Sequence, residues 1–242
     1  MAHRYLDETL EGANVGDVVS LLGSEARHAV TVSRIALGQT VSIGNGAGLV
    51  VSGAVVKAEH AQLSIVVDER VAAVRSSPAV FLAQALAKGD RDELAVQVAT
   101  ELGVDGVIPW AAARCISRWE GAKIAKGRER WAAVAREASK QSLRAWLPDV
   151  LDIVSTSQLV NMGAAARLVV LEPSAESALA DLEVDDRDIV LVVGPEGGIA
   201  DHELAAFASA GASVARLGAG VLRTSTAGPA ALAVLNIKLG RW

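Results

Sequence analysis

Val190-Leu191-Val192-Val193-Gly194-Pro195-Glu196-Gly197-Gly198-Ile199 decides the fold of this chain. The unbroken apolar run predicts a strand buried on both faces, as in the centre of a parallel sheet. A glycine-rich turn then leads into a helical pattern from about Asp201 to Ala210. Gly197 and Gly198 permit positive φ and a close approach of backbone to a ligand, and Pro195 stiffens the turn. Asp201 and Glu203 suit a helix N-terminus. Ligands of α/β sheets bind outside the carboxyl ends of the strands, so Gly194 to Ile199 is a candidate ligand loop. A second such turn follows at Leu217-Gly218-Ala219-Gly220-Val221-Leu222-Arg223-Thr224, and Glu172-Pro173 supplies a third. Turns of this kind side by side enclose a small ligand with backbone groups.

Working outward, Val80 to Leu86, Val104 to Ile108, Leu168 to Leu171 and Ser213 to Leu217 read as further strands. Helical patterns lie between them. Asp90 to Leu102 carries Leu94, Val98 and Leu102 on one face, with Asp90 and Glu93 at capping-box spacing and Gly103 at the stop. Arg128 to Leu143 reads as a basic helix. A closing helix runs to about Leu239, with Pro229 expected in its first turn, where a missing N–H costs little. Strands alternating with helices predict an α/β domain with a parallel sheet. Residues 1–72 differ. Val18 to Leu22, Thr40 to Ile43, Leu49 to Val56 and Leu63 to Val67 are short strand formers. One helix is expected from Ser24, as N-cap, to Ile35. Close spacing suggests a small barrel, so the expected division is 1–72 and 73–242.

Composition narrows the function. The single cysteine, Cys115, excludes an intrachain disulfide, and no metal-ligand spacing is present. Without a run of about 18 apolar residues no membrane span is expected, and a soluble cytoplasmic protein is the expectation. The net charge of −5 is unevenly spread: Arg114 to Arg144 holds nine Lys/Arg against three Asp/Glu, and Glu172 to Asp188 seven acids against one Arg. The basic stretch fits either a solvated helix face or a phosphate-contacting patch. Trp119 and Trp131 within it, and Trp146 just beyond it, read as helix-packing residues. Gly44-Asn45-Gly46-Ala47-Gly48 has the glycine spacing of a nucleotide-binding turn, but that motif needs a following helix. Strand formers follow here, so it reads as a hairpin.

The ordered set Gly194 to Ile199 with Glu203, Leu217-Gly218, and Val221-Leu222-Arg223-Thr224 with Thr226-Ala227 resembles the SPOUT class of RNA methyltransferases. More closely, it resembles the bacterial family that methylates N3 of a uridine in small-subunit (16S) ribosomal RNA. Lys88-Gly89-Asp90-Arg91, Ala99 to Val104, Lys140-Gln141-Ser142 with Pro148, Arg4-Tyr5-Leu6, and His28 with Arg34 fit the same pattern, so the likeness spans nearly the whole chain. It implies a PUA-like N-terminal β-barrel, a C-terminal domain with a trefoil knot, a homodimer and S-adenosylmethionine as cofactor. By position the cofactor loops are Leu171-Glu172-Pro173, Gly194-Pro195-Glu196-Gly197-Gly198-Ile199, and Leu217-Gly218 with Leu222 and Thr224. Arg223 and Glu196 are the catalytic candidates, Arg223 to stabilise a uridinate and Glu196 as a base or as a shaper of its own loop. Arg4, His28, Arg34, Lys88, Arg91, Lys140 and Arg144 are the expected RNA contacts. Two positions depart from the family: Ser225 stands where an acid is common, and Ala200 replaces a hydroxyl N-cap, with Asp201 expected to take over capping. A ribose 2′-O or guanine methyltransferase of the same class, and a non-catalytic RNA-binding assembly factor, remain alternatives.

Overall fold

The computed structural model describes residues 4–242. It divides into two units: the residues up to Arg75 together with Ser139–Leu147, and Ser76–Ala138 together with Pro148–Trp242.

In the first unit β1 (Arg4–Leu6), β2 (Val18–Leu22), β3 (Thr40–Gly44), β4 (Leu49–Glu59) and β5 (Gln62–Ala72) form one mixed sheet in the order β1-β3-β4-β5-β2. Only the β1–β3 pair is parallel, and the ladder is open, with β1 and β2 at its edges. The four expected strands are present; β1, with three residues, is too short to show a period. Gly44 to Gly48 is the tight link between antiparallel β3 and β4. Asn45 Oδ1 accepts from the amides of Ala47 and Leu49, and Gly46 and Gly48 hold φ of 70° and 95°. The helix expected from Ser24 to Ile35 is shorter: α1 (Gly23–Arg27) passes into one π-helical turn, His28–Val32. Its N-cap is Leu22, and Ser24 already lies inside the helix.

The second unit is built on a parallel sheet. Its strands are β6 (Val80–Ala85), β7 (Gly106–Ala111), β8 (Asp149–Val150), β9 (Val154–Ser155), β10 (Arg167–Leu171), β11 (Ile189–Val193) and β12 (Ser213–Ala215). Their order is β12-β10-β11-β6-β7-β8, with β9 also on β7. Every residue of β11 is buried, and each such aliphatic side chain contributes about 1.5–3 kcal/mol. The chain runs from β6 to β7 on one side, then returns to lay β10, β11 and β12 on the other. The switch point falls between β6 and β11, the position where open α/β sheets bind ligands.

Five helices accompany this sheet: α2 (Arg91–Glu101), α3 (Ala122–Gln141, whose last turn clusters with the first unit), α4 (Thr156–Asn161), α5 (Asp201–Ser209) and α6 (Thr224–Lys238). α2 packs against α6, and α6 lies on β11 and β6. Gly228 lets it seat there, because a Cβ at that position would stand 2.9 Å from Leu82 Cδ1. Pro229 is the sixth residue of α6, not in its first turn. Its ring removes the helical bond that would run to the Ser225 carbonyl, and both residues are buried. The expected Asp90–Glu93 capping box does not form, because Asp90 takes a left-handed φ of 58° and makes no cap bond. Both carboxylates turn instead to Arg130 on α3. No helix among the described residues is long and apolar enough to cross a membrane.

Candidate active site

Parallel strands end on one edge of the sheet, so the turns after β10, β11 and β12 meet there. They enclose a cavity of about 410 Å³, within the range of small-ligand sites. Leu171, Glu172 and Pro173 form one wall, Gly194, Pro195, Glu196, Gly198 and Ile199 a second, and Leu217, Leu222, Arg223 and Thr224 a third. Two expected residues do not line it. The hydrogen-only face of Gly197 meets Arg114, where a Cβ would lie 3.2 Å from the arginine Cβ, and Gly218 holds φ 144° within the third turn. The cavity also takes in Val193, Ala215, Arg216, Gly220, Val221 and Ala227, and Arg91 from α2. Val193 and Ala215 are the last residues of their strands, so strand ends were the signal available for them. Arg216 anchors the first wall by donating to the carbonyls of Ala175 and Glu176.

Thr224 joins segments far apart in sequence. Its hydroxyl donates to the Gly194 carbonyl at 2.8 Å and accepts from Gln84 Nε2 at 2.8 Å, at the end of β6. Gln84 has no exposure, so its amide depends on partners inside the protein. Thr224→Val keeps the volume but leaves the Gln84 amide and the Gly194 carbonyl without this partner. The expected result is a loss of about 1–3 kcal/mol in chemical denaturation; a variant as stable as the wild type would remove the relay from the account.

Glu196 stands at the switch point. Its Oε1 accepts from the Lys88 amide at 3.0 Å and from the Arg91 guanidinium at 2.9 Å. Burial alone would raise this carboxyl, but its own amide, the Lys88 amide and Arg91 outweigh burial and hold it below the usual glutamate value. A carboxylate so engaged is a weak base and a good loop anchor. Its depressed folded-state value means its stabilisation is present above the ordinary value of 4.5 and is lost as pH falls through the folded-state value. Glu196→Gln should therefore melt close to the wild type in strong acid and below it near neutrality. A temperature gap that stays constant across this range would contradict the anchor role.

Arg223 is the N-cap residue of α6, with extended backbone, and its side chain is exposed at the cavity rim. The guanidinium makes no hydrogen bond or ion pair among the described residues. Glu203, only 1% exposed, braces the loop from behind. It accepts from the Ala113 amide at 2.9 Å, the Thr156 hydroxyl at 2.6 Å and the Ala200 amide at 3.1 Å. Asp201 does not take over the capping of α5: it is the first helical residue, and its exposed carboxylate faces Arg114. Glu203 reaching back to the Ala200 amide supplies half of a capping box instead. Cys115 is buried, and burial pushes its thiol up to about 11, which removes it as a nucleophile at neutral pH.

Residues 75–236 match the family model described as RNA methyltransferase domain. The chain belongs to this RNA methyltransferase family. It is 41% identical over 235 residues to the ribosomal RNA small subunit methyltransferase E of Mycobacterium bovis, covering 95% of this chain and 90% of that one. It is 30% identical over 246 residues to the protein of the same name from Bacillus subtilis, covering 98% and 96%. Among solved structures, the ribosomal RNA small subunit methyltransferase E of Neisseria gonorrhoeae, bound to S-adenosyl methionine, superposes with a TM-score of 0.87 at 27% identity over 98% of each chain.

Within this RNA methyltransferase the expected RNA contacts separate into distinct environments. Lys88 is exposed. Arg91 lines the three-loop cavity and is tied to Glu196. In the first unit His28 and Arg34 are exposed. Arg4 donates to the Leu143 carbonyl and Arg144 is half-buried. Lys140 is 7% exposed and pairs with Glu25 at 2.9 Å. A phosphate cannot reach Lys140 in this arrangement, so its expected RNA contact is corrected to a buried ion pair.

Proposed function

We propose that this protein transfers a methyl group from S-adenosylmethionine to N3 of a uridine in 16S ribosomal RNA. The observation that carries the reading is the three-loop cavity with an unpaired guanidinium, Arg223, at its rim. The names of the relatives, which are small-subunit rRNA methyltransferases, support the substrate, and the neighbour crystallised with S-adenosyl methionine supports the cofactor. The cavity's own chemistry fits. Leu171, Val193, Ile199, Leu217 and Leu222 offer apolar walls to a purine, and loop amides and carbonyls remain for its polar edge. A Cβ at Gly194 would stand 2.7 Å from Ile199 Cγ1, so only glycine permits this close turn.

Bound there, S-adenosylmethionine supplies a methyl carbon made electrophilic by its sulfonium. The three loops fix its position, and positioning accounts for much of the rate in such a displacement. Uridine N3 carries a proton and becomes a nucleophile as that proton passes to solvent water, and the new N3–methyl bond forms as the methyl–sulfur bond breaks. Arg223 stabilises the negative charge that then spreads over N3 and the flanking carbonyl oxygens, and its guanidinium stays charged throughout. Glu196 shapes the second loop through Lys88 and Arg91. Ser225, buried at the family's acidic position, supplies no carboxylate, so this mechanism rests on a cation. On the same reading residues 1–72 are a PUA-like RNA-binding barrel, residues 73–242 a knotted SPOUT domain, and the protein a homodimer. Incubating the protein with unmethylated small subunits and isotopically labelled methyl donor, then mass-mapping the rRNA, should find one N3-methyluridine. Label on a ribose oxygen or a guanine would give the chain a different reaction, and no label would make it a binding factor.

A further inference from the structure

A second cavity, of about 470 Å³, opens in the same unit between the segment after β6, the stretch Ile116–Trp119 and the start of α3. The two cavities share a wall. Arg91 lines the first and Lys88 to Asp90 the second, while Lys88 and Arg91 together grip Glu196. Of the cations around the second cavity, Arg130 is neutralised by Asp90 at 3.2 Å and Glu93 at 2.5 Å. Lys88, Arg118, Lys123 and Lys126 are exposed, and their side chains have no hydrogen-bond or ion-pair partner among the described residues. The lining carries five cations against the three carboxylates of Asp90, Asp92 and Glu93, a formal net charge of +2, and its four unpaired cations attract a polyanion.

The cavity also holds a fixed aromatic plane. Trp119 meets Trp131 edge to face at 5.3 Å between centroids and 75° between planes. Gly127 of α3 lies over the indole so closely that a Cβ would stand 2.3 Å from Trp119 Cε2. One side of the ring is thus covered by helix backbone, and Trp131 is sealed in the core. Trp119 stays half-buried and lines the cavity. A rigid aromatic beside uncompensated cations is the combination that binds single-stranded nucleic acid, through base stacking and phosphate contacts.

We propose that this second cavity receives a nucleotide flanking the one methylated, its base against Trp119 and its phosphates held by Arg118, Lys123 and Lys126. The inference rests on RNA being the substrate. The shared wall at Lys88–Arg91 then places successive nucleotides of one strand at the two cavities. The number of free cations also exceeds what one phosphate requires, which favours a continuing backbone over a free nucleotide.

The test uses the full chain and a fluorescently labelled single-stranded RNA of about ten nucleotides with a central uridine. Trp119→Leu keeps an apolar side chain against Trp131 and should weaken RNA binding roughly tenfold. Lys123→Glu with Lys126→Glu, both on the exposed face of α3, should flatten the salt dependence of log Kd by about one unit or more. Both variants should bind S-adenosylmethionine in calorimetry as the wild type does. Unchanged RNA affinity in the folded Trp119→Leu protein, or an unchanged salt slope in the double variant, overturns the proposal. So does uridine monophosphate binding as tightly as the RNA, which would mark a free-nucleotide site. If the wild type binds RNA but methylates no small subunit, the proposed function fails while these comparisons still decide the cavity.

Discussion

Arg223→Ala is expected to lower methylation of small subunits roughly 10²–10³-fold, the usual cost of removing one preorganised group that stabilises developing charge. Its affinity for S-adenosylmethionine, read by calorimetry, should change little. The reason lies in how the side chain is held. Backbone geometry at the start of α6 places Arg223 at the rim, yet no carboxylate occupies it. A structural arginine would be paired, and its loss would unsettle the loop. An unpaired one contributes little until negative charge appears next to it. Arg223→Lys should recover only part of the rate, since a compact ammonium cannot match a planar fork spanning two acceptors. Affinity that collapses together with activity would reassign Arg223 to cofactor binding.

Glu203→Ala has the largest expected effect on stability, about 3 kcal/mol or more in urea denaturation. Its carboxylate serves three donors from separate segments: the Ala113 amide after β7, the Thr156 hydroxyl of α4 and the Ala200 amide at the head of α5. Removing it deprives all three donors, of which the Ala200 amide is buried, of this acceptor, and bonds to a charged acceptor contribute about 1.5–3 kcal/mol each before desolvation is subtracted. Glu203→Gln should fall in between, because its oxygen can still serve Ala113 and Thr156 while its amide nitrogen opposes a donor at Ala200. A Glu203→Ala protein within about 0.5 kcal/mol of the wild type, the usual spread for surface substitutions, would refute the bracing role.

The parts of this fold that were legible in the sequence are those set by local pattern. Val190 to Val193 announced a central strand because nothing polar interrupts it, and the glycines beside it could be assigned to a ligand turn. Asn45-Gly46 announced a hairpin because strand formers follow. What was hidden depends on partners distant in sequence. Lys140 sits in a basic helix pattern, and only folding brings it to Glu25, 115 residues away. Asp90 has the right spacing from Glu93 for a cap, but it turns left-handed, and both acids face Arg130 instead. Asp201 looked like a cap by residue type, whereas the bond to the Ala200 amide comes from Glu203. Proline favours helix starts, but α6 begins five residues before Pro229, at Thr224. In the cavity, the residues on glycine-rich turns were readable. Arg91 and Arg216 reach it through tertiary contacts that no local pattern encodes.

The Thr224 hydroxyl binds together segments separated by 140 and by 30 residues. The three walls come from separate segments, so no contiguous fragment of the unfolded chain carries the whole cavity, and the methyl donor favours the folded state. Mass action then makes the second unit's resistance to unfolding a function of donor supply. At a free donor concentration 100 times its Kd the folded state gains about 2.7 kcal/mol. A cell depleted of methyl donor would thus lose some of the protein itself, to proteolysis of its unfolded fraction, beyond the turnover lost for want of cofactor.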